Sequence, residues 1–408
     1  MAKRVLLIGL DYYPRNVPGA HRSAKLAKYL PSFGWEPVVL TCSATSQNSF
    51  GRYDPDLENK DDCTVIRVPS RYHSAKTLPG FINHYIIRAY APHIHPLGLY
   101  CSMLRRGKQL LAEQHFDAIW ATSPYIMALN VAGRLARLFN KPLVADLRDL
   151  MHETEDRPGI LHRWQMHLEK RMCDRADALS IVTAPLGEQL KKRHSKPVHV
   201  IANGFDPDDF PAPGSRKSET FDIVYAGSIY AGRDPAPLFD ALDLLLEQGT
   251  DISRMRACFY GVQAPQMEPY LKGRACRDVV QVMGEIPQRR LISVMQQASL
   301  LLLLSHKQPG IMPYKIFEYL AAGRTILSIP GDGDVTDALL DETGAGVAAA
   351  QPAAIAELVR QWYQQWQRGS DLPYGGKPDE IAKYTRRHQA QHTAKLLDEV
   401  CAARSNPG

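Results

Sequence analysis

Cysteine is scarce in this chain. The seven present, Cys42, Cys63, Cys101, Cys173, Cys258, Cys276 and Cys401, are odd in number, widely scattered and without a C-x-x-C pair. That excludes a disulfide framework and a zinc ribbon. Long apolar runs are missing too: the longest aliphatic stretch, residues 300–304, is the size of a strand and far short of the roughly 20 residues that cross a bilayer. The opening apolar segment, residues 5–10, is too short for the core of a secretory signal and is cut by Asp11. The expected setting is therefore a reducing cytoplasm. Acidic pairs with a catalytic setting are also absent. Asp54-Pro-Asp56 and Asp332-Gly-Asp334 have the composition of turns. His93-Ile-His95, and His152 with Glu153, lack a further spaced ligand, so no metal is expected. No recognition motif accompanies the basic residues, and a nucleic-acid partner is not expected.

At 408 residues the chain exceeds one ordinary core, which predicts two domains. Its net charge of +6 is unevenly spread: residues 1–196 carry 28 Lys+Arg against 18 Asp+Glu, or +10, and the remainder carries 21 against 25, or −4. The basic clusters Arg105, Arg106 and Lys108, then Lys191, Lys192, Arg193 and Lys196, predict either a solvated face or one that meets an anionic membrane or a lipid-linked phosphate.

Short apolar strands alternate with helical patterns throughout. Strands are predicted at 4–10, 36–41, 63–68, 118–122, 143–146, 178–183 and 198–201, with helices at 20–30, 99–114, 125–139, 160–174 and 185–193. Segments 43–59 and 70–96 read as irregular insertions. Residues 203–220, dense in Pro, Gly and charge, mark a linker, after which the alternation restarts at 221–226. Such βα alternation predicts parallel, doubly wound sheets. The domains expected are 1–202, a linker 203–220, 221–379, and a helical tail 380–408.

Residues 310–330 join a polar loop, a helix start and a buried strand. Pro313 suits the first turn of a helix, where the donor it lacks has no partner anyway. The free N–H groups and positive dipole end there make an anion site, to which Lys315 adds a full charge. Glu318, one turn on, offers two acceptor oxygens to the adjacent hydroxyls of a ribose. Gly323 ends the helix and residues 325–329 form the next strand. On pattern alone, Lys315 and Glu318 read equally well as a solvated i,i+3 pair.

The order of several further motifs decides between these. Tyr12-Tyr-Pro-Arg-Asn-Val-Pro-Gly19, Ala121-Thr-Ser-Pro124, Ala145-Asp-Leu-Arg-Asp-Leu150, Asn203-Gly-Phe-Asp-Pro-Asp-Asp-Phe210, Tyr225-Ala-Gly-Ser228 through Gly232-Arg233, Gly284-Glu-Ile-Pro287 and Lys315-Ile-Phe-Glu-Tyr-Leu-Ala-Ala-Gly323 occur in sequence. Together they resemble the retaining glycosyltransferases of family 4, with the GT-B fold of two Rossmann-like domains facing across a cleft and a returning C-terminal helix. The resemblance implies transfer of a hexose-type sugar from a UDP- or GDP-sugar to a saccharide or lipid-linked acceptor, without a metal or other cofactor.

Residue by residue, the resemblance implies that Gly19 lies on a loop approaching the donor phosphates and that Gly227 and Ser228 also bind the donor. Arg233 and Lys315 neutralise the diphosphate, Gly284 and Ile286 present backbone to the base, and Pro313 and Glu318 bind phosphate and ribose. Two departures stand out. Gly310 occupies the place of the family's first Glu. Arg148 followed by Asp149 stands where many relatives have a His, a pairing familiar from the subgroup that builds bacterial surface polysaccharides. There Asp149 would take the acceptor's proton and Arg148 hold a phosphate, or the two would merely pair and stabilise the loop. A sugar-nucleotide epimerase of the same fold, and a catalytically silent sugar-nucleotide-binding partner, remain as alternatives.

Overall fold

The computed structural model describes residues 2–43, 53–58, 60–69, 78–123, 126–150, 159–211, 218–229, 232–305, 308–369, 372 and 374–405. The continuous apolar strands expected of parallel sheets are present: every side chain in residues 5–8 and in residues 300–304 is buried, because helices cover both faces.

The chain forms two compact units. The first comprises residues 1–203 with 386–408. Its seven strands are β1 (Lys3–Ile8), β2 (Trp35–Cys42), β3 (Thr64–Val68), β4 (Ala118–Thr122), β5 (Leu143–Leu147), β6 (Ala178–Ile181) and β7 (Val198–Val200), all parallel and ordered β3-β2-β1-β4-β5-β6-β7. The helices that matter below are α1 (Pro18–Tyr29), α2 (Leu97–Glu113), α3 (Ile126–Phe139) and α4 (Ile160–Cys173). The second unit, residues 204–385, orders its six parallel strands as β10-β9-β8-β11-β12-β13. These are β8 (Phe221–Ala226), β9 (Met255–Tyr260), β10 (Val280–Gly284), β11 (Leu300–Leu304), β12 (Ile326–Ile329) and β13 (Gly346–Ala348). Helix α5 (Lys315–Ala322) joins β11 to β12. Each unit is thus a doubly wound, Rossmann-like sheet.

The last helix, α6 (Arg386–Ser405), belongs to the first unit. Ala390, Ala394, Leu397 and Val400, three or four residues apart, give it one buried face against Ala24, Ala27 and Trp35. Asp398 fastens it, accepting from the Trp35 indole N–H at 3.2 Å and from Lys3 Nζ at 2.6 Å.

Part of the expected insertion 70–96 is not irregular. Residues 78–90 run as successive helical turns, followed by a 3-10 turn at Pro92–Ile94. Leu78, Phe81, Ile82, Tyr85 and Ile86 recur at helical spacing there but are exposed, so this apolar stripe faces outward and not into the core. Two short helices of the second unit, Ala264–Leu271 and Val335–Thr343, were also not predicted. Pro269 sits inside the first, and the second is only nine residues long, too few for a clear period. Among the described residues no helix is long and apolar enough to cross a membrane.

Candidate functional site

Strand order in the second sheet reverses between β8 and β11, the place where open α/β sheets hold ligands beyond their strand carboxyl ends. Direct pairing of these strands covers only Leu300 with Ile223 and Leu301 with Val224. Past that point Tyr319 of α5 bridges them: its buried hydroxyl accepts from the Ala226 N–H at 2.9 Å and donates to the Leu302 carbonyl at 3.0 Å.

Three adjoining strands finish in glycines with positive φ, Gly227 (144°), Gly261 (80°) and Gly284 (67°), a conformation that side chains resist. Backbone bonds link them, Gly227 N–H to the Tyr260 carbonyl at 2.8 Å and Gly261 N–H to the Gly284 carbonyl at 2.7 Å. A Cβ on Gly227 would stand 1.7 Å from Lys315 Nζ. The amine therefore occupies the space a side chain would need.

Lys315 opens α5, half-buried, with its amine 3.3 Å from the Tyr225 hydroxyl and 4.3 Å from that ring's centroid. The Tyr225 hydroxyl in turn donates to the Ser228 carbonyl at 2.8 Å. Burial, and then the like charge of Arg233, lower the proton affinity of Lys315 to about 7, with Glu318 pulling the other way. Arg233, Lys315 and Glu318 thus share one electrostatic field beside the glycine-lined strand ends. The arrangement suits an anion: it would relieve the repulsion between the two cations and return Lys315 to its charged form.

The other expected residues of this unit fall nearby in sequence but differ in setting. Ser228 is exposed, Ile286 is half-buried against the core beneath α5, and Pro313 is buried. The helix starts at Lys315 with Tyr314 as its cap, two residues later than predicted, and the Pro313 carbonyl accepts from the Ile316 N–H at 3.1 Å. Gly310, at a φ of 78°, donates its N–H to the Asp334 carboxylate. Asp332 accepts from the N–H groups of Asp334, Thr336 and Asp337, so this acidic segment is a turn that caps the following helix.

In the first unit the sheet reverses between β1 and β4, and Arg148 lies across that point. Its Nη2 donates to Asp11 at 3.0 Å, just past β1, while its Nε donates to the Ser123 carbonyl at 2.6 Å, just past β4. Arg148 therefore pairs with Asp11, whereas burial holds the carboxyl of Asp149 above the usual range, against the pull of Arg148. Gly19 sits in the first turn of α1, not in the preceding loop. A Cβ on it would stand 1.8 Å from Arg148 Nη1, so its missing side chain makes room for that guanidinium.

Several residues of these sites were not anticipated. Arg22 forms a fully buried bidentate pair with Asp146 (3.0 and 2.7 Å), to which Thr122 and Ser180 also donate, and it caps the carbonyls of Ile201 and Ala202. His21 contacts the Tyr13 hydroxyl at 3.1 Å and Asn16 at 2.9 Å, and burial holds it neutral, down to about 3. Tyr225, Tyr319 and Gly261 complete the second unit's platform. Tyr225 and Tyr319 lay inside the quoted motifs without a role of their own, and Gly261 had the signal of a glycine directly after an apolar strand. Among the described residues no group of three or more His, Cys, Asp or Glu is placed to hold a metal.

Residues 19–204 match the family model described as a glycosyl transferase 4-like domain, and residues 220–365 the one described as glycosyl transferases group 1. No curated protein matches the chain. Among solved structures, HepE of Anabaena in complex with UDP is 14% identical, with 97% of this chain and 100% of that one covered at a TM-score of 0.65. Sucrose-phosphate synthase from Thermosynechococcus elongatus is 16% identical, covering 98% and 100%, at 0.66. WaaG, a glycosyltransferase involved in lipopolysaccharide biosynthesis, is 15% identical, covering 98% of each chain, at 0.57. At such identities the likeness is one of fold.

Proposed function

The chain is a two-domain glycosyltransferase of the GT-B type, and from that premise we propose that it moves a hexose-type sugar from a UDP- or GDP-sugar to an acceptor hydroxyl, with retention, in cell-surface polysaccharide or glycolipid biosynthesis. The observation that carries this reading is the shared field of Arg233, Lys315 and Glu318 at the reversal of the second sheet.

Departure of a nucleoside diphosphate builds negative charge on its phosphates while the anomeric carbon becomes cationic. Preorganised cations at the phosphates lower that barrier most. Arg233 offers a bidentate fork and Lys315 a point charge. Gly227 leaves open backbone beside them, Gly284 and Ile286 face the base, and Glu318 accepts from the ribose hydroxyls. On the acceptor side Asp149 is the proton acceptor, and Arg148 fixes the local frame through Asp11 and Ser123. No divalent ion is needed when two side chains already balance the diphosphate, so turnover survives chelation with EDTA. HepE has been captured with UDP and with UDP-glucose, which favours the uridine donors as the first to try.

The test is thermal stabilisation by UDP- and GDP-sugars, followed by slow donor hydrolysis without acceptor. Arg233→Ala and Glu318→Ala each remove turnover. Full activity in either variant defeats the site assignment, isomerised free donor points to an epimerase, and binding with no release points to a silent partner.

A further inference from the structure

On the first unit, α2, α3 and α4 enclose two adjoining hollows of about 180 and 520 Å³. Arg134, Arg171 and Arg175 line both, Lys108 and Arg137 line the larger, and His93 lines the smaller. Among the described residues no carboxylate lines either hollow and none of these five cations forms an ion pair. The nearby Asp174 is engaged by Lys170 at 3.3 Å.

The contacts that do exist are to neutral oxygens. Arg134 donates to the Tyr100 hydroxyl at 2.6 Å and Arg175 to the Asn130 side-chain carbonyl at 3.0 Å. A guanidinium carries five N–H donors, so most of theirs remain open to the hollows. Nδ1 of His93 is enclosed there without a hydrogen-bond partner. Burial and then Arg171, Arg134 and Arg137 depress the proton affinity of Arg175; burial and then Arg171, Arg175 and Arg134 do the same to His93. Like charges are thus crowded together with no carboxylate among the described residues to balance them.

Helix dipoles explain only part of this crowding. Arg137 and Arg171 lie in the last turns of α3 and α4, where cations are favoured, but Lys108 and Arg134 do not. Gly133 is a further fitted part. A Cβ there would stand 3.0 Å from Arg175 Cδ, so this mid-helix glycine, which weakens α3, lets the Arg175 stem lie across it. In a parallel sheet the helices run back from the strand carboxyl ends, so the second halves of α3 and α4 lie towards the opposite end of the sheet from Arg148 and Asp149.

We propose that this arginine pocket is a second anion site, separate from the donor site, which takes a phosphoryl or pyrophosphoryl group through Arg134, Arg171 and Arg175. Planar guanidinium forks match phosphate oxygens pairwise, and a doubly charged group offsets the repulsion that no carboxylate relieves. The group can arrive on a membrane lipid or on a soluble phosphate.

Inorganic pyrophosphate titrated into the whole protein tests it, with every variant built on Arg233→Ala so that the second unit contributes equally to all. Arg171→Ala with Arg175→Ala should weaken binding by about tenfold or more, the loss of two charge-assisted contacts. Lys191→Ala with Lys192→Ala removes the same net charge elsewhere on this unit and should change it less than about twofold. Gly133→Ala keeps every charge and should weaken binding about threefold by displacing Arg175. Unchanged melting confirms that each variant is folded. Capture by phosphatidylcholine vesicles containing phosphatidylglycerol, lost in the double-arginine variant, assigns the phosphate to a lipid; vesicle binding that ignores the variant while pyrophosphate binding falls assigns it to a soluble ligand. Equal pyrophosphate affinity in parent and double-arginine variant, or an equal drop in the lysine control, overturns the proposal.

Discussion

At the scale of single residues, Lys315 is the most informative. With its affinity lowered to about 7 by burial and by Arg233, it is largely neutral at pH 8 and regains its proton when a diphosphate arrives. Binding of UDP-glucose, whose diphosphate has no group that titrates in this range, should therefore take up close to one proton at pH 8, and below about pH 6, where Lys315 is already charged, almost none. Calorimetry in buffers of different ionisation enthalpy reads this directly, and Lys315→Met should abolish the uptake. Gly227→Ala should weaken UDP-glucose binding by about tenfold, because its Cβ would lie 1.7 Å from the Lys315 amine and push that flexible side chain aside, and its φ of 144° strains any side chain. Lys315 and Glu318 were singled out by the order of the motifs, since their spacing alone reads equally well as a solvated pair. Arg148 was legible as a site residue but not its partner, since Asp11 lies 137 positions away and only the sheet brings them together.

Elements carry the next level of argument. Strands β8 and β11 pair over two residues and are then held by one phenol, so Tyr319→Phe leaves the Ala226 N–H and the Leu302 carbonyl without their bridge while the ring still packs. Buried backbone groups left unpaired cost about 1–3 kcal/mol each. Hydrogen exchange of the Ala226 amide should accelerate by about tenfold or more, with far smaller changes in β12 and β13. In the first unit, Arg22 and Asp146 fasten α1, β5 and the end of β7. Burial alone would raise the Asp146 carboxyl, yet the Arg22 charge and its hydrogen bonds hold it below the ordinary range. Its stabilising effect is thus full above the unfolded carboxylate value and is lost as pH falls through the folded one. Arg22→Met strands that carboxylate and should destabilise the first unit by about 3–5 kcal/mol, seen as a lower urea midpoint. Apolar strands and capped helices announced themselves in the sequence. The helical turns of residues 78–90 did not, although Leu78, Phe81, Ile82, Tyr85 and Ile86 recur at helical spacing, because Pro79, Gly80 and Pro92 give the segment the look of a loop.

At the scale of the whole molecule, the chain leaves its first unit after Asn203 and re-enters it at Arg386. The two crossing segments lie side by side within the second unit, where the Phe205 N–H donates to the Tyr384 carbonyl at 3.0 Å, and a Cβ on Gly204 would stand 2.2 Å from that same oxygen. The returning helix was legible from its periodicity, but not how much core it supplies. Ala390, Ala394, Leu396, Leu397 and Val400 are all buried with the side chains of α1 and β2. Removing them uncovers apolar surface that the rest of the first unit cannot close over, at about 25 cal/mol per Å². The second unit has a sheet and core of its own. A chain ending at Thr385 should therefore keep a protease-resistant fragment spanning residues 204–385, while residues 1–203 are digested. Adding residues 386–405 as a separate peptide should restore protection of the first unit, because the helix contributes packing and not connectivity. Equal resistance of both units in the shortened chain would show instead that α6 lies on a surface that is stable without it.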